Sequence, residues 1–219
     1  MPKLMLALDV LDEFEAIKIS EETSEYVDCI KIGYPLVLAT DLGIVKRIKD
    51  KTGKEVICDF KVADIPATNE KIAKLTLNYA DGIICQGFVG PDSVKAIMDV
   101  AEEYNKNNPK NPKKVIMVTE MSHGGATSFM QPIANEIAKM AGDLKVNGIV
   151  APSTRPARLK ELKEIANNAF VISPGVGAQG GDLEEVLKVL DENDYVIVGR
   201  AIYLNENPKE SAKKYKELL

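Results

Sequence analysis

Three charged side chains lie close together in the segment CDFKVADIPATNE, residues 58–70. Asp59, Lys61 and Asp64 fall within six residues, directly after an apolar run at 56–58. Asp59 and Lys61 are two positions apart, so on a β-strand their side chains face the same way. An amine held between carboxylates suits proton transfer, whereas solvated surface charge is the alternative interpretation.

Two further charged residues, Asp9 and Lys31, end earlier apolar runs of the chain. If neighbouring strands follow chain order, Lys31, Asp59, Lys61 and Asp64 form a row of alternating charge. Carboxylates favour the protonated form of a nearby lysine. A protonated lysine donates a proton, whereas a Schiff-base nucleophile needs the free amine. The pattern therefore predicts proton delivery to a carbanion, and a structural ion-pair network at the rim of the fold remains the alternative.

The elements that would position these residues recur along the chain. Eight short aliphatic segments read as strands buried on both faces, namely 4–9, 29–34, 55–61, 82–87, 114–120, 148–153, 170–175 and 195–200. Helical spacing occupies the intervals, for example 66–79, 91–106, 129–141, 155–166 and 182–191. Pro66 and Pro91 suit first helical turns, and Gly53 and Gly142 suit helix ends.

This alternation predicts the α/β class and a single (β/α)8 TIM barrel spanning residues 1–219. A doubly wound open sheet is the rival fold, and it usually has a glycine-rich first turn. Here the first turn reads ALDVLDEFEA and contains no glycine, which favours the barrel.

In a TIM barrel the active site lies at the carboxyl ends of the strands. Polar residues occur at the end of each predicted strand, as a polar pocket would need. They are Asp9, Lys31, Asp59 with Lys61, Gln86, Thr119 with Glu120 and Ser122, Ser153, Ser173, and Arg200. His123 is more consistent with shaping its loop than with contacting a ligand.

A second constellation combines SPGVGAQGGD, residues 173–182, with Gly199 and Arg200. Phosphate often binds between the loops after strands seven and eight of a barrel. Glycine-rich backbone offers N–H donors, and arginine grips phosphate with two donors. We therefore predict a phosphate site there, with the long loop as a lid. A flexible turn is the alternative for the glycines taken alone.

Composition excludes several classes of protein. The net charge is −5 with acids and bases interspersed, so no basic field suggests nucleic acid. No apolar run approaches the ~18 residues that span a bilayer, and the first residues lack a signal-peptide pattern. We expect a cytoplasmic protein. The three cysteines are scattered and read as reduced core thiols, and the single histidine excludes a multi-histidine metal centre.

These residues resemble a known family, the orotidine 5′-monophosphate decarboxylases, in particular the short archaeal type. The most specific match is DFKVADIPATN, which carries the D-x-K-x-x-D pattern of that family. Supporting matches are IKIGYP at 30–35, TEMSH at 119–123, PSTRP at 152–156 and SPGVGAQGGD at 173–182. The resemblance covers nearly the whole chain. Gly124 and Gln86 depart from the residues expected in relatives, but both lie off the charged core.

The resemblance implies a role for each matching residue. Lys61 would protonate C6 of the pyrimidine, Asp59 would lie beside the substrate carboxylate, and Lys31 with Asp9 would complete the charged network and hold ribose hydroxyls. Asp64 and Thr68 would reach the neighbouring active site of a homodimer. The remaining implied substrate contacts are Ser122 at the ring, and Pro174, Gly175, Gln179, Gly199 and Arg200 around the phosphate.

The implied activity is decarboxylation of orotidine 5′-monophosphate to uridine 5′-monophosphate in pyrimidine biosynthesis, without metal or organic cofactor. The D-x-K-x-x-D pattern also occurs in hexulose-phosphate synthases, so a metal-dependent aldolase on the same barrel is an alternative. A Schiff-base aldolase and a non-catalytic protein that binds a phosphate ligand are further alternatives.

Overall fold

The structure is a computed structural model that describes residues 1–176 and 182–219. Within these residues, eight parallel strands close into a barrel in chain order, with β1 pairing with both β2 and β8. The strands are β1 Lys3–Leu8, β2 Cys29–Gly33, β3 Glu55–Val62, β4 Gly82–Gln86, β5 Lys114–Val118, β6 Gly148–Val150, β7 Phe170–Pro174 and β8 Tyr195–Val198. The predicted (β/α)8 barrel and the predicted strand order are confirmed.

Helices cover the outside of the barrel. They are α1 Glu13–Thr23, α2 Tyr34–Ala39, α3 Ile44–Thr52, α4 Pro66–Leu77, α5 Pro91–Asn107, α6 Ala126–Phe129, α7 Ala134–Leu144, α8 Pro156–Ala166, α9 Leu183–Leu187, α10 Arg200–Tyr203 and α11 Pro208–Leu218. Both predicted first-turn prolines open their helices, and Gly53 ends α3 with a φ of 66°.

The helices differ from the prediction most clearly at three places. The segment predicted as one helix at 129–141 is divided into α6, a 3-10 turn at Gln131–Ile133 and α7, because Pro132 cannot donate to the helical ladder. Gly142 lies inside α7, where a β-carbon would approach the Ala166 carbonyl oxygen to 3.1 Å. Close packing of α7 on α8 therefore explains that glycine. The predicted helix at 182–191 ends at Leu187.

The core has two layers that follow the alternation of side chains along each strand. Met5, Cys29, Ile57 and their counterparts on the other strands fill the barrel interior. The intervening residues, such as Leu4 and Leu6, pack outward against the helices. Cys29, Cys58 and Cys85 are buried and free, as predicted. None of the described helices is both long and apolar enough to cross a bilayer.

Candidate active site

A cavity of about 300 Å³ opens at the carboxyl ends of the strands. Side chains from all eight strands or their following loops line it: Ala7, Asp9, Lys31, Asp59, Lys61, Ile84, Met121, Ser122, His123, Val150, Pro174, Gly175, Val176, Ile197, Gly199, Arg200 and Tyr203. A larger groove of about 1040 Å³ lies at the opposite end, where Lys3, Lys114 and Tyr195 begin their strands. Active sites of TIM barrels form at the carboxyl ends, so the smaller cavity is the candidate site.

Asp59 is the centre of the charge arrangement in this cavity. The Nζ atom of Lys61 donates to Oδ1 and Oδ2 of Asp59 at 2.8 and 2.9 Å, and the Nζ atom of Lys31 lies 2.9 Å from Oδ2. The side chains of Asp59 and Lys31 are 10% and 9% exposed, whereas that of Lys61 is 37% exposed. One buried carboxylate is thus shared by two amines, of which Lys61 is the more accessible.

The ionisation of the buried pair follows from these contacts. Burial by itself raises the pKa of Asp59, but Lys31 and Lys61 outweigh burial and hold that pKa below its ordinary value. Burial lowers the pKa of Lys31, but Asp59 and then Asp9 outweigh it, so the pKa lies above its ordinary value. At neutral pH Asp59 is therefore a carboxylate and Lys31 an ammonium.

The backbone at Lys61 departs from a regular strand. Lys61 has a φ of 44°, in the left-handed region, and the pairing of β3 with β4 shifts register between Cys58 and Val62. The sequence argument assumed simple alternation from Asp59 to Lys61, and that assumption fails at this bulge. The two side chains nevertheless lie on the same side of the chain, as the sequence predicts, and meet at 2.8 Å. A residue with a β-carbon in this conformation costs about 1–2 kcal/mol.

Asp9 forms the next part of the wall, close to Lys31 and Tyr203. Gly33 makes room for it, since a β-carbon at position 33 would lie 3.0 Å from Oδ1 of Asp9. Tyr203 was not predicted from the sequence. It stands three residues after Arg200 on α10, and that helical spacing was the available signal. Burial, and then Asp9, raise the pKa of the Tyr203 hydroxyl.

The structure describes four of the five residues that were predicted to surround a phosphate. Pro174, Gly175, Gly199 and Arg200 all line the cavity. Gly175 has a φ of 119°, a conformation that favours glycine. Gln179, and with it most of the predicted lid at 175–182, lies outside the described residues.

The segment Met121–His123 lines the cavity on the side of β5. Beneath it, the fully buried Glu120 accepts hydrogen bonds from Nε of Arg155 at 2.8 Å and Nε of Arg158 at 3.2 Å. Arg155 also donates to the Met121 carbonyl oxygen, and Thr154 donates to that of Ser122 at 2.8 Å. These bonds fix the backbone that presents Ser122 and His123. The sequence favoured a role for His123 in shaping its loop, and the structure places His123 in the cavity lining.

Not all of the polar strand ends reach the cavity. Thr119 donates to the Val150 carbonyl oxygen, and the hydroxyls of Ser153 and Ser173 are 2.8 Å apart, all three fully buried away from the lining. Gln86 is also buried and does not line it. Ser173 falls on a helix-facing position of β7, because the adjacent Ile172 faces the barrel interior, whereas Thr119 and Ser153 lie beyond the ends of β5 and β6.

Asp64 and Thr68 also lie outside the cavity of their own barrel. Asp64 is exposed, and its Oδ1 accepts a hydrogen bond from the backbone N–H of Ile65 at 2.7 Å. Among residues 1–176 and 182–219, no cluster of three or more His, Cys, Asp or Glu side chains could hold a metal ion.

Comparison with known proteins places this geometry in context. Residues 2–215 match the family model described as "Orotidine 5'-phosphate decarboxylase / HUMPS family". An orotidine 5'-phosphate decarboxylase of Methanococcus maripaludis strain S2 is 72% identical over 214 residues, covering 98% of this chain and 95% of that protein.

Two solved structures show the same fold at high coverage. The crystal structure of orotidine 5'-monophosphate decarboxylase from Methanocaldococcus jannaschii complexed with inhibitor BMP has a TM-score of 0.95 and 68% identity, covering 100% of this chain and 99% of that one. The decarboxylase from Pyrococcus horikoshii OT3 has a TM-score of 0.87 and 38% identity, covering 98% of each chain.

The left-handed backbone at Lys61 yields a prediction about stability. Lys61→Ala and Lys61→Gly lose the same ion pair with Asp59, but only alanine keeps a β-carbon at a φ of 44°. We expect Lys61→Gly to have the larger free energy of unfolding, by about 1 kcal/mol, in urea titration. The control is the same pair of substitutions at Lys46 in α3, where alanine should be the more stable variant. Greater stability of the alanine variant at position 61 would contradict the prediction.

Proposed function

This chain belongs to the orotidine 5'-phosphate decarboxylase / HUMPS family, and on that premise we propose that it converts orotidine 5′-monophosphate to uridine 5′-monophosphate and CO2. The reaction is that of a carboxy-lyase of pyrimidine biosynthesis. The observation that carries the proposal is the cluster of Lys31, Asp59 and Lys61 in a cavity that also contains Arg200. A proton donor and a phosphate-binding group thus share one site.

In the proposed mechanism the bond between C6 of the pyrimidine and the carboxylate carbon breaks, and CO2 leaves. The bonding electron pair stays on C6 and takes a proton from Nζ of Lys61. Lys61 becomes a neutral amine and regains its proton from solvent. Asp59 stabilises the ammonium before transfer and faces the substrate carboxylate, whose repulsion is relieved as CO2 departs. Neither a metal nor an organic cofactor takes part in these steps.

The energetics require more than one contribution. General acid catalysis supplies roughly 10²–10⁴-fold, or about 3–5 kcal/mol. Enzymes acting on the slowest uncatalysed reactions lower the barrier by ~20 kcal/mol or more. The remainder must come from an ammonium already positioned where charge develops and from binding energy supplied by distant parts of the substrate.

The phosphate is the distant group that we propose supplies this binding energy. Arg200 would pair with it, while the backbone around Gly175 and Gly199 allows close approach. Gln179 and closure of the 175–182 loop remain predictions. Asp9 and Lys31 would hold the ribose hydroxyls, and Ser122 would contact the pyrimidine ring.

The direct test follows orotidylate absorbance with purified protein in the presence of a chelator. We expect the wild type to decarboxylate and Lys61→Ala to lose about 10²–10⁴-fold or more in turnover. Affinity for uridine 5′-monophosphate should change by less than about tenfold, because Lys61 acts mainly in the transition state.

The matched control is Lys114→Ala, which removes a lysine paired with Glu55 at the opposite end of the barrel. That variant should keep normal turnover. Near-normal turnover by Lys61→Ala would contradict the mechanism. Aldolase activity that the chelator abolishes, without decarboxylation, would instead favour the metal-dependent alternative.

A second prediction concerns Arg200. We expect Arg200→Ala to weaken binding of uridine 5′-monophosphate by about 10- to 100-fold, because a charge-assisted hydrogen bond contributes about 1.5–3 kcal/mol. Binding of uridine, which lacks the phosphate, should stay nearly unchanged. Titration calorimetry with both ligands measures the difference, and Arg47→Ala on the outer helix α3 is the control. Equal losses for nucleotide and nucleoside would argue against phosphate binding by Arg200.

We also propose a homodimer in which Asp64 and Thr68 complete the partner's site. Asp64 is exposed and does not line the cavity of its own barrel. Exposed apolar side chains occur nearby on the loops and short helices after β2, β3 and β4: Tyr34, Leu38, Ile65 and Phe88. Burying them against a second copy would remove this apolar surface from water.

Shared sites predict complementation between inactive variants. An Asp64→Asn subunit keeps Lys61, and a Lys61→Ala subunit keeps Asp64, so their hybrid dimer contains one intact site. After subunit exchange, an equal mixture should regain roughly a quarter of wild-type activity, since about half of the dimers are hybrids with one working site. Each variant incubated alone is the control. A mixture that remains inactive after exchange is verified by mass spectrometry would count against sharing.

A further inference from the structure

Asn69 is a fully buried polar residue for which the proposed chemistry has no direct use. It lies in the first turn of α4, and both ends of its side-chain amide are bonded. Its Oδ1 accepts a hydrogen bond from the backbone N–H of Asp64 at 3.1 Å. Its Nδ2 donates to the backbone carbonyl oxygen of Ser93 at 3.1 Å.

The bond to Asp64 closes the turn between β3 and α4. The backbone N–H groups of Thr68 and Asn69 both donate to the Ile65 carbonyl oxygen at 3.0 Å, while Ile65 provides no side-chain cap to the helix. Among the described hydrogen bonds, Asn69 provides the one that joins the Asp64 N–H to the body of α4. The backbone of Asp64 is therefore held from inside the protein, although its carboxylate is exposed.

The bond to Ser93 connects Asn69 to α5, the helix that follows β4. Ser93 is buried in the first turn of α5, and α4 packs closely against α5. Asn69 thus bridges the loop after β3 and the helix after β4. Replacing it with an apolar residue would remove both bonds at once and with them the link between the two segments.

We propose that Asn69 is a positioning residue that fixes Asp64 in the orientation with which Asp64 reaches the active site of the partner subunit. The inference rests on the proposed shared site. It assigns Asn69 an effect in the partner's barrel and not in its own. A displacement of about 1 Å in a positioning group can reduce a rate by roughly 100-fold, so a bond distant from the reacting atoms has a measurable effect.

The first measurement is the kinetics of Asn69→Ala. We expect kcat/KM to fall by about 10- to 100-fold while the protein remains a folded dimer. The double variant Asp64→Asn with Asn69→Ala should be no slower than Asp64→Asn, because two residues that act through one group are non-additive. The control is Asn147→Ala, which removes a side-chain oxygen that accepts a similar hydrogen bond from the Val115 N–H at the other end of the barrel. Asn147→Ala should keep normal kcat/KM.

The decisive measurement is complementation in trans. Mixed with Lys61→Ala, an Asn69→Ala subunit supplies Lys61 and receives a correctly held Asp64 from its partner. This mixture should regain as much activity as the mixture of Asp64→Asn with Lys61→Ala. General weakening of the fold would not produce such a gain. If Asn69→Ala does not fold, Asn69→Ser carries the same test, since serine stays polar but is too short to replace the amide oxygen that accepts from the Asp64 N–H.

The outcomes separate this inference from the function on which it rests. Recovery with Asp64→Asn but none with the Asn69 variant shows that Asn69 acts within its own barrel, which overturns the inference. No recovery in either mixture, with an active wild type, rejects the shared site and the inference together. A wild type that does not decarboxylate orotidylate rejects the proposed function itself.

Discussion

The site depends on one buried carboxylate that is bonded to two amines. Desolvation of Asp59 opposes its charge, and an unpaired carboxylate at this depth would take up a proton. Lys31 and Lys61 reverse that preference, and Asp9 supports Lys31 from the neighbouring strand. Removing Lys31 or Lys61 would leave Asp59 with one amine in place of two, which would raise the pKa of its carboxyl. The ionisation of each residue in the cluster therefore depends on the others. The ion pair with Asp59 holds the amine of Lys61 beside the open cavity. No covalent bond between the enzyme and the substrate is needed for that arrangement.

Barrel closure is what makes such a cluster possible. Parallel strands in chain order bring the ends of β1, β2 and β3 side by side, and inward-facing positions place Asp9, Lys31 and Asp59 on one wall. Lys61 joins them although its own backbone leaves the regular strand conformation. Strain at one residue is tolerated where the surrounding sheet determines the chain path, which is typical of functional positions. The fold therefore stabilises a conformation that the local sequence disfavours.

The two ends of the cavity have different chemical character. The charged cluster lies deep within the barrel, whereas Arg200 lies at an exposed rim beside the glycines of the last two loops. This separation suits an enzyme that uses binding of a remote group to support reaction at a buried centre. The turn at Asp64 is exposed at the surface, where the proposed dimer would bring a second copy of the chain. Asn69 connects that turn to the interior, so the packing of α4 on α5 and the proposed shared site depend on common bonds.

By itself the sequence determined the order of strands and helices, the barrel, and the inward positions of Asp9, Lys31 and Asp59, because side-chain alternation is a local property of the chain. Tertiary structure alone decided the left-handed backbone at Lys61, the partners of the polar residues that follow the strands, and the place of Tyr203 in the wall. Thr119 shows why the rest was missed. The sequence around a polar residue at a strand end is the same whether its side chain faces the cavity or bonds to a neighbouring carbonyl. Thr119 is of the second kind, since its hydroxyl donates to the Val150 carbonyl oxygen. Which partner it meets is set by the closure, bulges and helix packing of distant segments, and these contacts leave no periodic signal in the chain.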